Sequence, residues 1–314
     1  MVFVKNFIFN LLCTFNIHKF IGSGIKILAY HGICPDDTPR EHWLPVYFVT
    51  KSNFEEQIRY IAQNFEPITL KQAVHYLKDT QGSLSKKVVI TFDDGYANNL
   101  HLAIPILEKY QVPVTIYIAT NYIKENSFFP FDKLRLLEFW GINPSIKYKD
   151  ISIVKVIEWL DNNWDKYCSN LSSLQKDLLR ALKPSELDKL IKHRLVEIGA
   201  HTHNHCILKN ENRKDRDNEI ITSLKKVREW TGHKYIAFSY PNGEPWDFDE
   251  DDISILKTHG CYCAVTTIPG NNIAGCDFMR LKRYSIGINH NLNDFKLEVS
   301  GFKTTIKRML GKSL

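Results

Sequence analysis

Two adjacent carboxylates close a β-branched run in this chain. Thr91-Phe92-Asp93-Asp94-Gly95 follows Val88-Val89-Ile90 and leads into Tyr96. Successive side chains of a strand face opposite ways, but a glycine at the strand end lets the chain turn so that both acids converge. Carboxylates that share a site repel, so either a cation compensates them or one keeps its proton. The plainer alternative is a solvated turn, because Asp-Gly is a common turn dipeptide. A second cluster, His201-Thr202-His203-Asn204-His205, follows the short segment Val196-Glu197-Ile198-Gly199-Ala200. Imidazole is the commonest metal-ligating side chain near neutral pH. His201 and His205, four apart, share a face over one helical turn, whereas His203 joins His201 only in an extended loop. A chance His-rich loop is the bland reading. Taken with the acid pair, two imidazoles and a carboxylate make a ligand set for a hydrolytic Zn²⁺ that keeps one position open for water.

The elements that must gather these residues alternate between strand and helix. Strands are expected at 26–30, 87–92, 113–119, 196–200, 234–239, 261–266 and 282–286. Helices are expected at 53–64 (with Ser52 as cap), 70–78, 98–110, 215–230 and 250–258. Residues 124–193 read as helical and carry no chemical motif of their own. This alternation argues for a parallel α/β sheet. The candidate residues fall at strand carboxyl ends, where α/β barrels keep their chemistry.

Composition narrows the class. With 44% hydrophobic and 24% charged residues, the 314-residue chain is ordinary for a globular protein with a sizeable core. Net charge is a mild +6 with no basic run interleaved with aromatics, so no nucleic-acid partner is expected. The seven cysteines (Cys13, Cys34, Cys168, Cys206, Cys261, Cys263 and Cys276) have no repeated spacing. Their odd number argues against a disulfide framework and for a reducing, cytoplasmic setting. Residues 1–24 form an amphipathic segment whose apolar face holds Phe7, Ile8, Leu11, Leu12 and Phe15. Its polar interruptions leave no run long enough to span a bilayer, and no small-x-small cleavage site follows it. Residues 291–314 read as a basic amphipathic helix with Phe295, Val299, Phe302, Ile306 and Met309 on one stripe. Docking on the protein's own barrel is the first reading of both ends; peripheral association with the inner membrane is the second.

At its two clusters the chain resembles the polysaccharide deacetylase (NodB-homology) family, carbohydrate esterase family four. Thr91-Phe92-Asp93-Asp94-Gly95 is similar to its first motif, and His201-Thr202-x-x-His205 to its second. Ser239-Tyr240-Pro241-Asn242-Gly243 stands where the family has Arg-x-Pro-Tyr-Gly, and Leu281-Lys282-Arg283 resembles a downstream Leu-x-Arg segment. Tyr30-His31 resembles the Tyr-His start of a bacterial branch that includes poly-N-acetylglucosamine deacetylases. The likeness runs in order over about residues 26–290. It implies an incomplete (β/α)7-type barrel spanning 25–290, with 124–193 as a helical insertion forming a lid or wall of the substrate groove.

The resemblance also implies roles. Asp94, His201 and His205 would ligate a divalent ion, with Zn²⁺ expected. Asp93 would be the general base, and the backbone N–H of Asn242 would meet the oxyanion. The orienting arginine of the third motif is Ser239 here, and Arg283 is the expected replacement. The usual late general-acid histidine is missing, so His31 is assigned that role by the branch with the Tyr-His start. Tyr240 belongs to the oxyanion and substrate segment. Trp246 is the first candidate for stacking on a sugar face, ahead of Tyr96, Trp43 and Phe129-Pro130-Phe131. The implied function is metal-dependent removal of N-acetyl groups from N-acetylhexosamine units of a bacterial polysaccharide or lipid-linked precursor. Two alternatives are a catalytically silent glycan-binding barrel and a deacylase of formyl or O-acetyl groups. A metallopeptidase is disfavoured, because no Glu follows the first histidine of the His-x-x-x-His.

Overall fold

The computed structural model describes residues 23–79, 84–125 and 127–300. Their strands are β1 (Lys26–Tyr30), β2 (Ile33–Cys34), β3 (Val49–Thr50), β4 (Glu66–Pro67), β5 (Lys87–Phe92), β6 (Val114–Ile118), β7 (Val196–Ala200), β8 (Ile236–Ser239), β9 (Cys261–Val265) and β10 (Tyr284–Ser285). The main sheet is parallel throughout, in the order β10-β1-β5-β6-β7-β8-β9, with β4 on β5. A parallel bridge from Leu281 to Val265 ties the run before β10 to β9. This is the incomplete parallel α/β barrel expected of the sequence. Strands β2 and β3 pair separately.

β1, β5, β6 and β8 are buried along their whole length, as parallel strands covered on both faces should be. Alternate residues divide between two apolar clusters. Val88, Ile90 and Phe92 join the large cluster that includes the surrounding helices. Ile27, Val89, Tyr117, Ala237, Cys263, Val265 and Leu281 form the second, packed against Leu70, Ala73, Val74 and Leu77 of the helix Leu70–Lys78. The same parity carries Thr91 and Asp93 onto the face of Val89, and Arg283 onto the face of Leu281.

Two helices differ from expectation. The helix expected at 53–64 starts at Lys51 with Thr50 at its cap position. Ser52 does not cap it, because its N–H and hydroxyl both donate to Asp36 Oδ1, at 3.0 and 2.6 Å. The helix expected over 98–110 is a π-helix, Asn99–Ala103, followed by an α-helix, Ile104–Tyr110. Pro105 has no N–H for the preceding turn, which widens in response.

Between β6 and β7 lie the helices Pro130–Phe139, Ile153–Asn163, Ser173–Leu179 and Pro184–Ile191. At the C-terminal side, Leu292–Val299 buries Phe295, Leu297 and Val299, with Phe295 edge-on to Tyr60. The rest of that expected helix, 301–314, and residues 1–22 of the expected N-terminal segment lie outside the described residues. The described cysteines are all free, with Cys261 and Cys263 in the core. No described helix is long and apolar enough to cross a membrane.

Gly199 in β7 is a point of close approach: a Cβ there would stand 2.4 Å from the Tyr117 ring. Gly199→Ala should therefore destabilise the fold by about 1–3 kcal/mol through overpacking. Chemical denaturation measures this, and an unchanged midpoint would show that the ring yields freely.

Candidate active site

β5 delivers Asp93 facing inward and then turns. Asp94 takes a left-handed backbone (φ 75°) and Gly95 follows at φ 92°. The turn sends the two acids to different partners. Arg283 donates to both oxygens of Asp93, at 2.8 and 2.7 Å. Its remaining N–H groups go to Thr266 O (2.8 Å), Thr91 Oγ1 (3.2 Å) and Ser239 Oγ (3.0 Å). Both Asp93 and Arg283 are buried. Burial opposes ionisation of Asp93, but the guanidinium of Arg283, together with the neighbouring His201 and His31 rings, outweighs it and holds the carboxyl below its ordinary range.

Asp94 faces the histidines instead. Its Oδ1 lies 3.4 Å from His201 Nε2 and 3.0 Å from His205 Nε2. The three ligand atoms are within 4.8 Å of one another and all three residues are buried. His201 Nδ1 sits 2.7 Å from the carbonyl oxygen of Ser239, which only accepts, so Nδ1 carries the hydrogen. The Tyr148 hydroxyl donates to the carbonyl oxygen of His205, so its oxygen accepts from His205 Nδ1–H at 2.7 Å. Each Nε2 then presents a lone pair toward a carboxylate oxygen that accepts no hydrogen bond. Such a grouping of lone pairs is stable around a cation. One oxygen and two imidazole nitrogens with second-ring hydrogen bonds fit a divalent ion such as Zn²⁺.

The loop that holds the histidines is not the helical turn that their spacing invites. Thr202 and His205 are both left-handed, at φ 58° and 57°. Glu219, on the helix Arg213–Thr231, accepts from the N–H groups of His203 (2.9 Å) and Asn204 (2.7 Å) and from the Asn204 side chain (2.6 Å). Thr202 Oγ1 accepts the N–H of Cys206 at 3.1 Å, replacing the backbone bond a helix would make. His203 turns toward Thr120 Oγ1 (2.8 Å) and is outside the ligand group. Burial pushes its pKa down to about 4.

These groups open into a cavity of about 370 Å³. His31 lines it, its ring tilted at 43° against Tyr47 with centroids 4.5 Å apart, and its buried Nδ1 has no hydrogen-bond partner. Asn242 lines it too, in a left-handed conformation (φ 59°), with its side chain held by Asp247 and Lys149, each at 2.7 Å. Tyr240 borders the cavity, but its hydroxyl donates to Met279 O at 3.1 Å and its ring stacks on Phe248 at 3.7 Å. Trp246 is not brought into this group and is 70% exposed. Tyr96, Trp43 and Phe129 are core residues, whereas Phe131 does line the cavity.

Several lining residues carried no signal in the sequence. Tyr148, Lys149 and Arg135 come from the helical stretch between β6 and β7, and Tyr47 from the loop before β3. Arg135 pairs with buried Asp132, which also accepts from Tyr96 at 2.6 Å. Burial pushes the Asp132 carboxyl up to about 6. An aromatic inside the polar run Lys147-Tyr148-Lys149-Asp150 was the one available hint of Tyr148.

A model of the polysaccharide deacetylase family matches residues 80–264. The chain belongs to that family. It is similar to the putative polysaccharide deacetylase YxkH of Bacillus subtilis, at 29% identity over 38% of this chain and 40% of the relative. It is also similar to the poly-beta-1,6-N-acetyl-D-glucosamine N-deacetylase of Staphylococcus aureus, at 36% identity over 28% of this chain and 30% of the relative. The aligned stretches thus cover less than half the length of these curated relatives. Two solved structures share the fold. The Streptococcus pyogenes deacetylase PplD in complex with acetate has a TM-score of 0.63 and 18% identity, over 88% of this chain and 98% of that one. IcaB from Ammonifex degensii has a TM-score of 0.59 and 18% identity, over 90% of this chain and 97% of that one.

Tyr148→Phe removes the acceptor that fixes the His205 ring while leaving the ring's packing. It should weaken Zn²⁺ or Co²⁺ binding by about ten- to a hundredfold in a metal titration. Unchanged affinity would show that the hydroxyl has no hold on the ligand.

Proposed function

We propose that this family member is a divalent-metal-dependent hydrolase that removes N-acetyl groups from N-acetylhexosamine units of a bacterial glycan. The observation that carries the reading is the split between the two acids: one carboxylate faces two imidazole lone pairs, and its neighbour is clamped by an arginine in the same cavity. The activity of the Staphylococcus aureus relative, a poly-beta-1,6-N-acetyl-D-glucosamine N-deacetylase, supports the substrate class.

Asp94, His201 and His205 would hold the ion. Bound there, a divalent ion lowers the pKa of a water and polarises the acetyl carbonyl. The chain's own residues do the rest. Asp93, kept ionised by Arg283, takes the water's proton. Arg283 also fixes the orientation of that carboxylate, because its two-point contact leaves the group no freedom to rotate. The amide N–H of Asn242 is the proposed donor to the oxyanion. His31 is the proposed source of the proton for the departing amine. Burial lowers the pKa of its ring, and Asp94 and Asp93 act in the opposite direction.

Acetate release from an N-acetylated chitooligosaccharide panel, with and without chelator, tests the reading. Release that stops on chelation and returns with Zn²⁺ is expected; a chain that binds the oligosaccharides and releases nothing would be a silent binder. Asp93→Asn should lower kcat by roughly 10²–10⁴-fold with the metal content unchanged; full activity would remove Asp93 as the base. The pH dependence has a definite sign. Activity needs ionised Asp93, and Arg283 depresses its pKa. Arg283→Lys keeps the charge but loses the two-point contact, so the acidic limb of kcat/KM should move to higher pH. An unmoved limb would show that Asp93 does not govern it.

A further inference from the structure

The His31 ring enters the catalytic cavity without the bond that usually fixes an imidazole. Its buried Nδ1 has no hydrogen-bond partner, although a bond at that nitrogen normally sets the tautomer and the ring orientation. Packing on Tyr47 takes its place. Tyr47 is itself held at its far end. Its hydroxyl accepts from Arg135 Nη2 at 3.2 Å, and the guanidinium carbon lies 5.5 Å from the ring centroid. His31, Tyr47 and Arg135 all line the same cavity.

Arg135 is fixed in turn. It pairs with Asp132, one turn earlier on the helix Pro130–Phe139. An exposed pair at that spacing would hold little. Asp132 is fully buried, however, and a buried carboxylate that loses its cation is left uncompensated. Asp132 also accepts from the Tyr96 hydroxyl at 2.6 Å. Tyr96 directly follows Gly95 of the acid turn and is buried edge-on to Phe48 and Phe129, with centroids 4.9 and 4.8 Å away. An unbroken run of contacts therefore leads from the turn that carries both acids, through Tyr96, Asp132, Arg135 and Tyr47, to His31.

We propose that Arg135 is a positioning residue, which through Tyr47 sets the His31 ring against the acid turn for proton delivery to the departing amine. The proposal rests on the deacetylase reading with His31 as its acid. As the C–N bond breaks, the imidazolium N–H proton passes to the amine nitrogen and leaves a neutral ring. That transfer needs the ring within hydrogen-bond reach of the nitrogen, and a misplacement of about 1 Å can cost on the order of a hundredfold in rate. β1 and β5 are neighbours in the sheet, so pairing registers the backbones of His31 and Asp93. It does not orient the His31 ring, and the helix Pro130–Phe139 supplies what the sheet cannot.

Acetate release from N-acetylated chitooligosaccharides tests this in two backgrounds, the native chain and His31→Ala. Arg135→Lys keeps a charge opposite Asp132 but loses the planar fork that reaches two partners. Tyr47→Phe keeps the ring and loses the hydroxyl. Each should lower kcat by about tenfold or more in the native background, with KM and Zn²⁺ content unchanged. Neither should lower it further once His31 is alanine, because both changes then act on a step already lost. Tyr47→Phe carries the comparison alone if Arg135→Lys does not fold. An equal loss in both backgrounds would make the link structural only and overturn the proposal, as would full activity of both variants. A raised KM with kcat intact would make Arg135 a sugar contact and overturn it too. A native chain that releases no acetate refutes the deacetylase reading itself, and a fully active His31→Ala refutes the acid assignment; either takes the proposal with it, by a result distinct from the others.

Discussion

The ion pair between Asp93 and Arg283 is the constraint on which the rest depends. Both partners are fully inside the protein, where an unpaired charge is severely unfavourable. Such a pair persists only if its geometry is close to ideal and its other donors are satisfied. Both conditions hold, since Arg283 reaches Asp93 with two N–H groups and gives others to Thr266, Thr91 and Ser239. Those partners come from β5, the end of β8 and the residue after β9. Arg283 itself follows Leu281, the residue that ties this edge of the sheet to β9, and precedes β10, which pairs with β1. The segment that ties this edge of the sheet to β9 therefore also carries the residue that aims one of the acids.

Strain accompanies this order. Asp94, Thr202, His205 and Asn242 all adopt left-handed backbones without being glycine. Each such conformation costs on the order of 1 kcal/mol or more and persists only where the surroundings determine it. Here the surroundings can be named: Glu219 under the histidine loop, Asp247 and Lys149 on Asn242, and the imidazoles opposite Asp94. The strained turns put the ligand atoms where ordinary strand and helix geometry would not.

Much of this was legible in the sequence because it is local. The strands carrying both motifs follow from short β-branched or apolar runs, whereas the split of the two acids does not: the Asp-Asp-Gly end reads as bringing both together, and only the fold sends Asp93 to Arg283 and Asp94 to the imidazoles. The Leu-x-Arg segment was flagged, although its distance from Asp93 along the chain hid the two-point contact. Tyr148 was illegible for a physical reason. Its role is set by where a long helical excursion returns, and no periodicity encodes that. Glu219 looked like one more charge on a charged helix, and only the loop above it gives the residue a function. Ser52 shows the opposite failure, a good capping residue diverted by Asp36 from the preceding loop.

The division of labour between the two acids is most directly tested by crystals of the Zn²⁺-soaked protein and an anomalous difference map at the zinc edge. A single peak within about 2.0–2.2 Å of Asp94 Oδ1, His201 Nε2 and His205 Nε2, with Asp93 still held by Arg283, is the expected result. A peak that draws Asp93 into the coordination sphere, or that lies away from the two imidazoles, would contradict the account.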